Sequence, residues 1–274
     1  MLFLLNITAC SYSPNSLKEI YSELGSGIAD QLKEPIDLSS SQATKIDNYA
    51  NEMMKWHRKN KLPEYSQTFL RLAAYIQQEN LPLPVLQSTL KKLNEMPHFE
   101  QARHLTPLMN DVAQSLTKSQ ISQLEQSFKD EYQKTKYEIK TKKLANVINE
   151  DTNLMFHFIG ASLNSEQKKI LKAESKKFHD LRWLELRNEK QWNDRFIALL
   201  RRANSPQFNQ QFAQLWHLQT IKFQGKALQQ KQQNDQREAK LIKTLIMKFN
   251  REKKSKLASQ LTSISNTFSE MANQ

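Results

Sequence analysis

The sequence predicts an all-α protein: an elongated bundle of about seven to nine helices with no sheet. Three observations predict it. Only four glycines and eight prolines occur in 274 residues, too few turn-formers for the hairpins of a many-stranded β fold. Leu, Lys, Gln, Glu and Ala are all common, and all are good helix formers. Apolar residues recur at steps of three and four along most of the chain. A hydrophobic fraction of 38% and a mean hydropathy of −0.71 suit amphipathic helices with broad solvated faces. The 13 Phe, 4 Trp and 7 Tyr exclude a chain with nothing to bury. This length allows one large domain or two small ones with a sizeable core.

Residues 1–10 read MLFLLNITAC. An apolar run, Leu2–Leu5, is followed by Ile7-Thr8-Ala9-Cys10, an aliphatic residue and small residues ahead of a cysteine. The pattern resembles a bacterial lipobox, in which the cysteine thiol is acylated and a peptidase that accepts small side chains cuts before it. Cys10 is the only cysteine, so an intramolecular disulfide is impossible and lipidation is the expected use of the thiol. A full signal peptide has a positive n-region and a longer apolar stretch. Here no Lys or Arg precedes Lys18, so residues 1–10 read as a truncated lipoprotein signal segment. Residues 11–16 read as a polar tether, 17–115 as an N-terminal helical part and 116–274 as a basic C-terminal part with long helices. No other segment approaches the roughly 20 apolar residues of a spanning helix.

The helical stripes come in order. Ile46, Tyr49, Met53 and Trp56 form the first, Pro63 interrupts, and Tyr65, Phe69, Leu72 and Ile76 resume it. Pro82, Pro84, Pro97 and Pro107 cut residues 80–110 into short pieces. A long helix then carries Ile121, Leu124, Phe128, Tyr132 and Ile139, and the pattern breaks around 149–163, near Gly160. A second long helix is expected through Leu171, Phe178, Leu181, Trp192, Phe196 and Leu199. Pro206 opens the next, with Phe208, Phe212, Leu215 and Phe223. Gln229–Gln236 reads as an exposed helix or a hinge, and Leu257, Leu261, Ile264, Phe268 and Met271 close the chain.

Charge divides the chain unevenly. Residues 1–115 hold 11 basic and 12 acidic side chains, residues 116–274 hold 29 and 16, and the net +12 therefore belongs to the second part. An acidic partner is expected there. Lys168, Lys172 and Lys176, spaced i,i+4, repel one another until an anion relieves them. With Lys253 and Lys254 they are the candidate anion- or partner-binding residues.

Three stretches share the form L-[S/T/N]-x-x-Q: Leu38-Ser39 with Gln42, Leu116-Thr117 with Gln120, and Leu163-Asn164 with Gln167. In each, the second residue can cap a helix and the Gln at N3 can reach back to the cap's own N–H. The form resembles the repeated signature of the Spy and CpxP group of periplasmic proteins, which implies a small all-helical, chaperone-like binder. The stretch Trp56-His57-Arg58 with Leu62-Pro63 and Tyr65, preceded by Tyr21 and by Asp37-Leu38-Ser39 with Gln42, resembles a second family. It is a family of uncharacterised proteobacterial outer-membrane lipoproteins known only as a domain of unknown function. That likeness runs from Cys10 to about Leu261, with Arg182-Trp183 a later landmark. It implies a helical fold and an outer-membrane address on the periplasmic side, and no activity. This chain departs from it at Gly25-Ser26-Gly27-Ile28.

Motifs for chemistry are sparse. His57 and Arg58 are expected to line the rim beside a core-facing Trp56 and to cap the helix end as a cationic pair. The six histidines show no HExxH spacing, so neither a metal nor another cofactor is expected. Glu185 and Glu189 read as members of surface ion pairs. The expected function is a lipid-anchored, non-enzymatic binding or chaperone-like envelope protein, whose partners are anionic lipid, lipopolysaccharide or envelope proteins. The alternative is a cytoplasmic, basic, nucleic-acid-binding protein, which export would rule out by location.

Overall fold

Cap chemistry and apolar stripes decide where helices begin and what they bury. The structure, a computed structural model, describes residues 14–94, 103–216 and 223–274. Among these are twelve α-helices and no strand. They are α1 (Pro14–Lys33), α2 (Ser40–Asn60), α3 (Leu62–Gln77), α4 (Leu83–Asn94), α5 (Thr106–Ser115), α6 (Lys118–Thr141), α7 (Leu144–Phe158), α8 (Ser165–Glu174), α9 (Arg182–Leu200), α10 (Phe208–Trp216), α11 (Gly225–Met247) and α12 (Arg251–Ala272).

The described residues are thus all-helical, but the expected seven to nine helices become twelve among them, because apparent long stretches are subdivided. The break around residues 149–163 belongs largely to a full helix, α7. Gly160, at φ +68, stops that helix in the left-handed conformation: its N–H donates to the His157 carbonyl and the Ala161 N–H to that of Phe156, a Schellman closure. The second long helix is in fact two. α8 ends at Glu174, a 3-10 turn covers Ser175–Lys177, and α9 starts at Arg182. Asn234 on α11 holds the gap open. Its side chain accepts from the His179 N–H at 2.9 Å and donates to the His179 carbonyl at 2.8 Å, replacing the bonds that helix would have supplied. Gln229–Gln236 is helix, the exposed outer part of α11.

The closest packing joins α3 to α12. Tyr65, Phe69, Leu72 and Ile76 meet Leu257, Leu261, Ile264, Phe268 and Met271, all nine buried. The helices run antiparallel: Ser265 Oγ donates to the Ser66 carbonyl near one end, and Lys254 meets Glu79 near the other. α1 lies antiparallel on α2, with Tyr21 beside His57 and Lys33 beside Asp47. Gly25 permits that approach, since a Cβ there would stand 3.1 Å from Met54 Cγ. α6 packs on α9, α4 on α11, and α10 against both α9 and α5. One apolar cluster runs from Leu17 to Met271, while Ile139, Leu181 and Leu186 are buried outside it.

Candidate functional site

The Trp56–Tyr65 stretch folds as two helices with a one-residue joint. α2 closes when the Lys61 N–H donates to the His57 carbonyl at 2.8 Å, and α3 opens with Pro63 in its first turn, where the missing N–H costs nothing. The bend turns His57, in the last turn of α2, toward Tyr65, in the first turn of α3, with ring centroids 5.6 Å apart. Tyr21 arrives from α1, its hydroxyl 2.9 Å from His57 Nδ1. Phe268 of α12 stacks its edge against Tyr65 at 6.2 Å. Four helices therefore meet on one aromatic cluster. Arg58 lays its guanidinium 5.8 Å from the centre of the Tyr21 ring, and its Nε is buried with no hydrogen-bond partner. Trp56 faces elsewhere, toward His104 at 6.4 Å and under the Lys61 ammonium at 5.8 Å.

Burial sets the charge state. It pushes the Tyr21 phenol up to about 12, against the pull of the Arg58 charge and hydrogen bond. It pushes Tyr65 up further, with help from the Glu64 charge. His57 is held down at about 4, by burial first and then by the nearby Lys61. At neutral pH all three rings are uncharged. Proton transfer works best with groups that titrate near the operating pH, and these have moved away from it in both directions. The cluster is a hydrogen-bonded clamp. The expected cationic cap is corrected for His57, which is neutral and turned inward onto two tyrosines.

The three L-[S/T/N]-x-x-Q stretches are all capping boxes, with both reciprocal bonds present at Ser39/Gln42, Thr117/Gln120 and Asn164/Gln167. Two of them also grip each other. Gln42 Nε2 donates to Gln120 Oε1 at 3.2 Å, and Gln120 Nε2 donates to Gln42 Oε1 at 2.7 Å. Gln42 Nε2 further donates to the Ser115 carbonyl, and Gln120 Nε2 to the Asp37 carbonyl. Each carbonyl lies two residues before the partner's cap, so a local two-fold relates the two helix starts. The third glutamine, Gln167, is fully buried and donates to the Leu245 carbonyl at 2.7 Å, one of the last carbonyls of α11, which lack an intrahelical donor.

The stretch holding both the clasp and the Trp56–Tyr65 bend, residues 34–223, matches DUF6279, a family of unknown function. The chain belongs to this family. The match agrees with the expected membership of an uncharacterised family. The DUF6279 segment supplies His57, Arg58 and Tyr65, while Tyr21 and Phe268, which complete the clamp, come from helices outside it. No curated protein and no solved structure matches the chain.

The remaining expected site residues scatter. Lys168 and Lys172 are exposed on α8, and Lys176 is exposed on the 3-10 turn that follows, so the i,i+4 line is broken at its third member. Lys253 is exposed beside the Phe249 ring. Lys254, by contrast, is only 7% exposed and lies 3.7 Å from Glu79; it is a buried, paired group rather than a surface anion site. Pro63 is exposed at its helix start. Cys10, His98 and His217 lie outside the described residues. Among the described residues no group of three or more His, Cys, Asp or Glu is placed to hold a metal ion.

Glu185 and Glu189 are not members of ion pairs among the described residues. Arg182 takes Asp180 and Lys190 takes Asp194. Burial therefore holds both glutamates above the usual carboxylate range. Sequence reasoning missed one feature altogether. Leu83 of α4 and Lys240, Lys243, Thr244, Met247 and Lys248 of α11 line an open cavity of about 510 Å³. No local signal marks it, because its two walls are far apart in the chain.

Proposed function

We propose that the chain is a lipid-anchored, non-enzymatic binding protein of the bacterial envelope, held at the outer membrane by acyl chains on Cys10 and presenting lysine-rich helical surface to an acidic partner. The observation that carries this reading is uncompensated charge. Lys168, Lys169, Lys172 and Lys176 are exposed and make no ion pair among the described residues, whereas Lys177, Lys190, Lys231 and Lys248 each hold an acid. A surface left this way gains from a polyanionic partner, because like charges at helical spacing repel until neutralised.

The anchor reading rests on the Ile7–Cys10 tetrad and on the sole cysteine. No described helix is long and apolar enough to cross a membrane. In this reading attachment therefore comes from two or more acyl chains, which suffice for stable residence. The displaced ionisation of His57, Tyr21 and Tyr65 favours binding over acid–base catalysis. Phe178, Trp192 and Phe196 pack on the apolar core, which withdraws them from base stacking and weighs against the nucleic-acid alternative.

The test is acyl labelling of the full chain in a Gram-negative host. Label and membrane fractionation are expected for the natural chain and should vanish in Cys10→Ser. Label persisting in that variant overturns the anchor. A salt-dependent nucleic-acid shift, lost on reversing Lys168, Lys172 and Lys176, would instead establish the alternative. The chaperone-like form of the function predicts that the full chain suppresses aggregation of an unfolding client.

A further inference from the structure

The cavity between α4 and α11 combines basic and apolar lining. Its rim carries Lys240, Lys243 and Lys248, and Leu83 and Met247 supply apolar lining. Of the three lysines only Lys248 is compensated, by Glu166 at 2.7 Å; Lys240 and Lys243 make no ion pair among the described residues. Lysines 240 and 243 share one face of α11 with Thr244, Met247 and Lys248, a helical spacing that lines one wall of the groove. An occupant must therefore offer carboxylates or phosphates to the rim and apolar side chains to Leu83 and Met247. Met is well suited to such contacts, since its flexible thioether adapts to varied shapes.

The position of the groove chooses between occupants. It lies beside the ends of α3 and α11 and the starts of α4 and α12, near the Glu79–Lys254 pair. The beginning of α1 is at the other end of α12, where Lys18 meets Glu270. Sixteen residues of α12 separate Lys254 from Glu270, a rise of about 24 Å. Cys10 precedes Pro14 by four residues, a reach of at most about 14 Å. A body held by Cys10 is thus tethered at the Glu270 end of α12, and the groove lies by the opposite end of that helix.

We infer that the α4–α11 groove is a docking site for an acidic amphipathic segment of a partner protein, its acids on Lys240 and Lys243 and its apolar side chains on Leu83 and Met247. The choice of a protein segment over a lipid rests on the anchored reading above; the groove itself does not.

The test uses the full chain and a fluorescent peptide of Glu and Leu patterned as an amphipathic helix, with a Glu/Ser peptide of equal charge as comparison. Vesicles of phosphatidylglycerol in phosphatidylcholine form a third arm. The Glu/Leu peptide is expected to bind more tightly than the Glu/Ser peptide. Its affinity should fall about tenfold in the double variant Lys240→Glu, Lys243→Glu, the scale of reversing two exposed charge contacts. Met247→Gln should weaken the Glu/Leu peptide alone, and Lys140→Glu, exposed on α6 away from the groove, should leave it unchanged. Equal binding of the two peptides, or equal losses from Lys140→Glu and the double variant, overturns the site. Vesicle binding lost through Lys240 and Lys243, without peptide binding, overturns the occupant. Cys10→Ser should retain the peptide affinity, so failure of the anchor and failure of the groove are separately visible.

Discussion

Replacing Gln120 by Ala tests whether the paired capping boxes act as one unit. Gln120 is 7% exposed and serves four bonds. Its Oε1 accepts from the Thr117 N–H at 2.8 Å and from Gln42 Nε2, and its Nε2 donates to Gln42 Oε1 and to the Asp37 carbonyl at 2.8 Å. Alanine removes all four, leaving the Thr117 N–H and the Asp37 carbonyl without that partner, while Gln42 keeps its bonds to Ser115 and the Ser39 N–H. Orphaned buried polar groups cost about 1–3 kcal/mol each, and the lost box adds a part of the roughly 1 kcal/mol that a cap is worth. The expected loss is about 3 kcal/mol, a fall in Tm of about 8 °C for a chain of this size. Thr117→Ala, which removes the cap and keeps the clasp, should cost only about 1 kcal/mol. The assay is urea unfolding of the four members of a cycle: the natural chain, Gln42→Ala, Gln120→Ala and both together. Removing the second glutamine deletes a group whose bonds to the first are already gone, so the double variant should lose about 1–2 kcal/mol less than the sum. Singles that add to within about 0.5 kcal/mol would refute the clasp and leave two independent caps.

Two further predictions concern ionisable groups. His57 titrates near 4 when folded and at its ordinary 6.5 when unfolded, so between these values the unfolded chain binds more protons. Stability carried by its neutral form is intact above pH 6.5 and drains away as the pH falls toward 4, by about 2 kcal/mol between pH 7 and pH 5. Thermal melts should show His57→Gln losing less than the natural chain over that interval, and equal losses would place the acid sensitivity elsewhere. Glu79 occupies the left-handed conformation at φ 54 where α3 ends, a strain of about 1 kcal/mol for a residue with a Cβ. Glu79→Gly alone should destabilise, because it strips the buried Lys254 of its partner. Glu79→Gly with Lys254→Met should exceed the natural chain in unfolding midpoint, and a double variant no better than the single one would contradict the assignment.

The parts of this protein that depend on neighbours in the chain were legible in its residues. The α3 and α12 stripes were readable because a helix repeats every few residues, and all three L-[S/T/N]-x-x-Q starts because a capping box closes within four. Helix number was misjudged where a stop depends on remote contacts: the apolar rhythm from Leu171 to Leu199 runs on unbroken, yet Asn234 of α11 holds His179 out of helix. The Trp56–Tyr65 stretch announced a bend, but not that Tyr21 and Phe268 would close a clamp on it or that burial would discharge His57.

Sequence by itself determined the helical class, the places where helices start, the apolar faces and the bias of charge toward the second part of the chain. Tertiary structure alone decided that Gln42 and Gln120, 78 residues apart, exchange their amides, that Lys254 is buried while Lys240 and Lys243 edge a groove, and that Glu185 and Glu189 make no ion pair among the described residues. The physical reason is range. Backbone hydrogen bonds and side-chain spacing are set within a turn or two of helix, whereas burial, and with it every shift in ionisation and every cavity, is created only when distant helices meet.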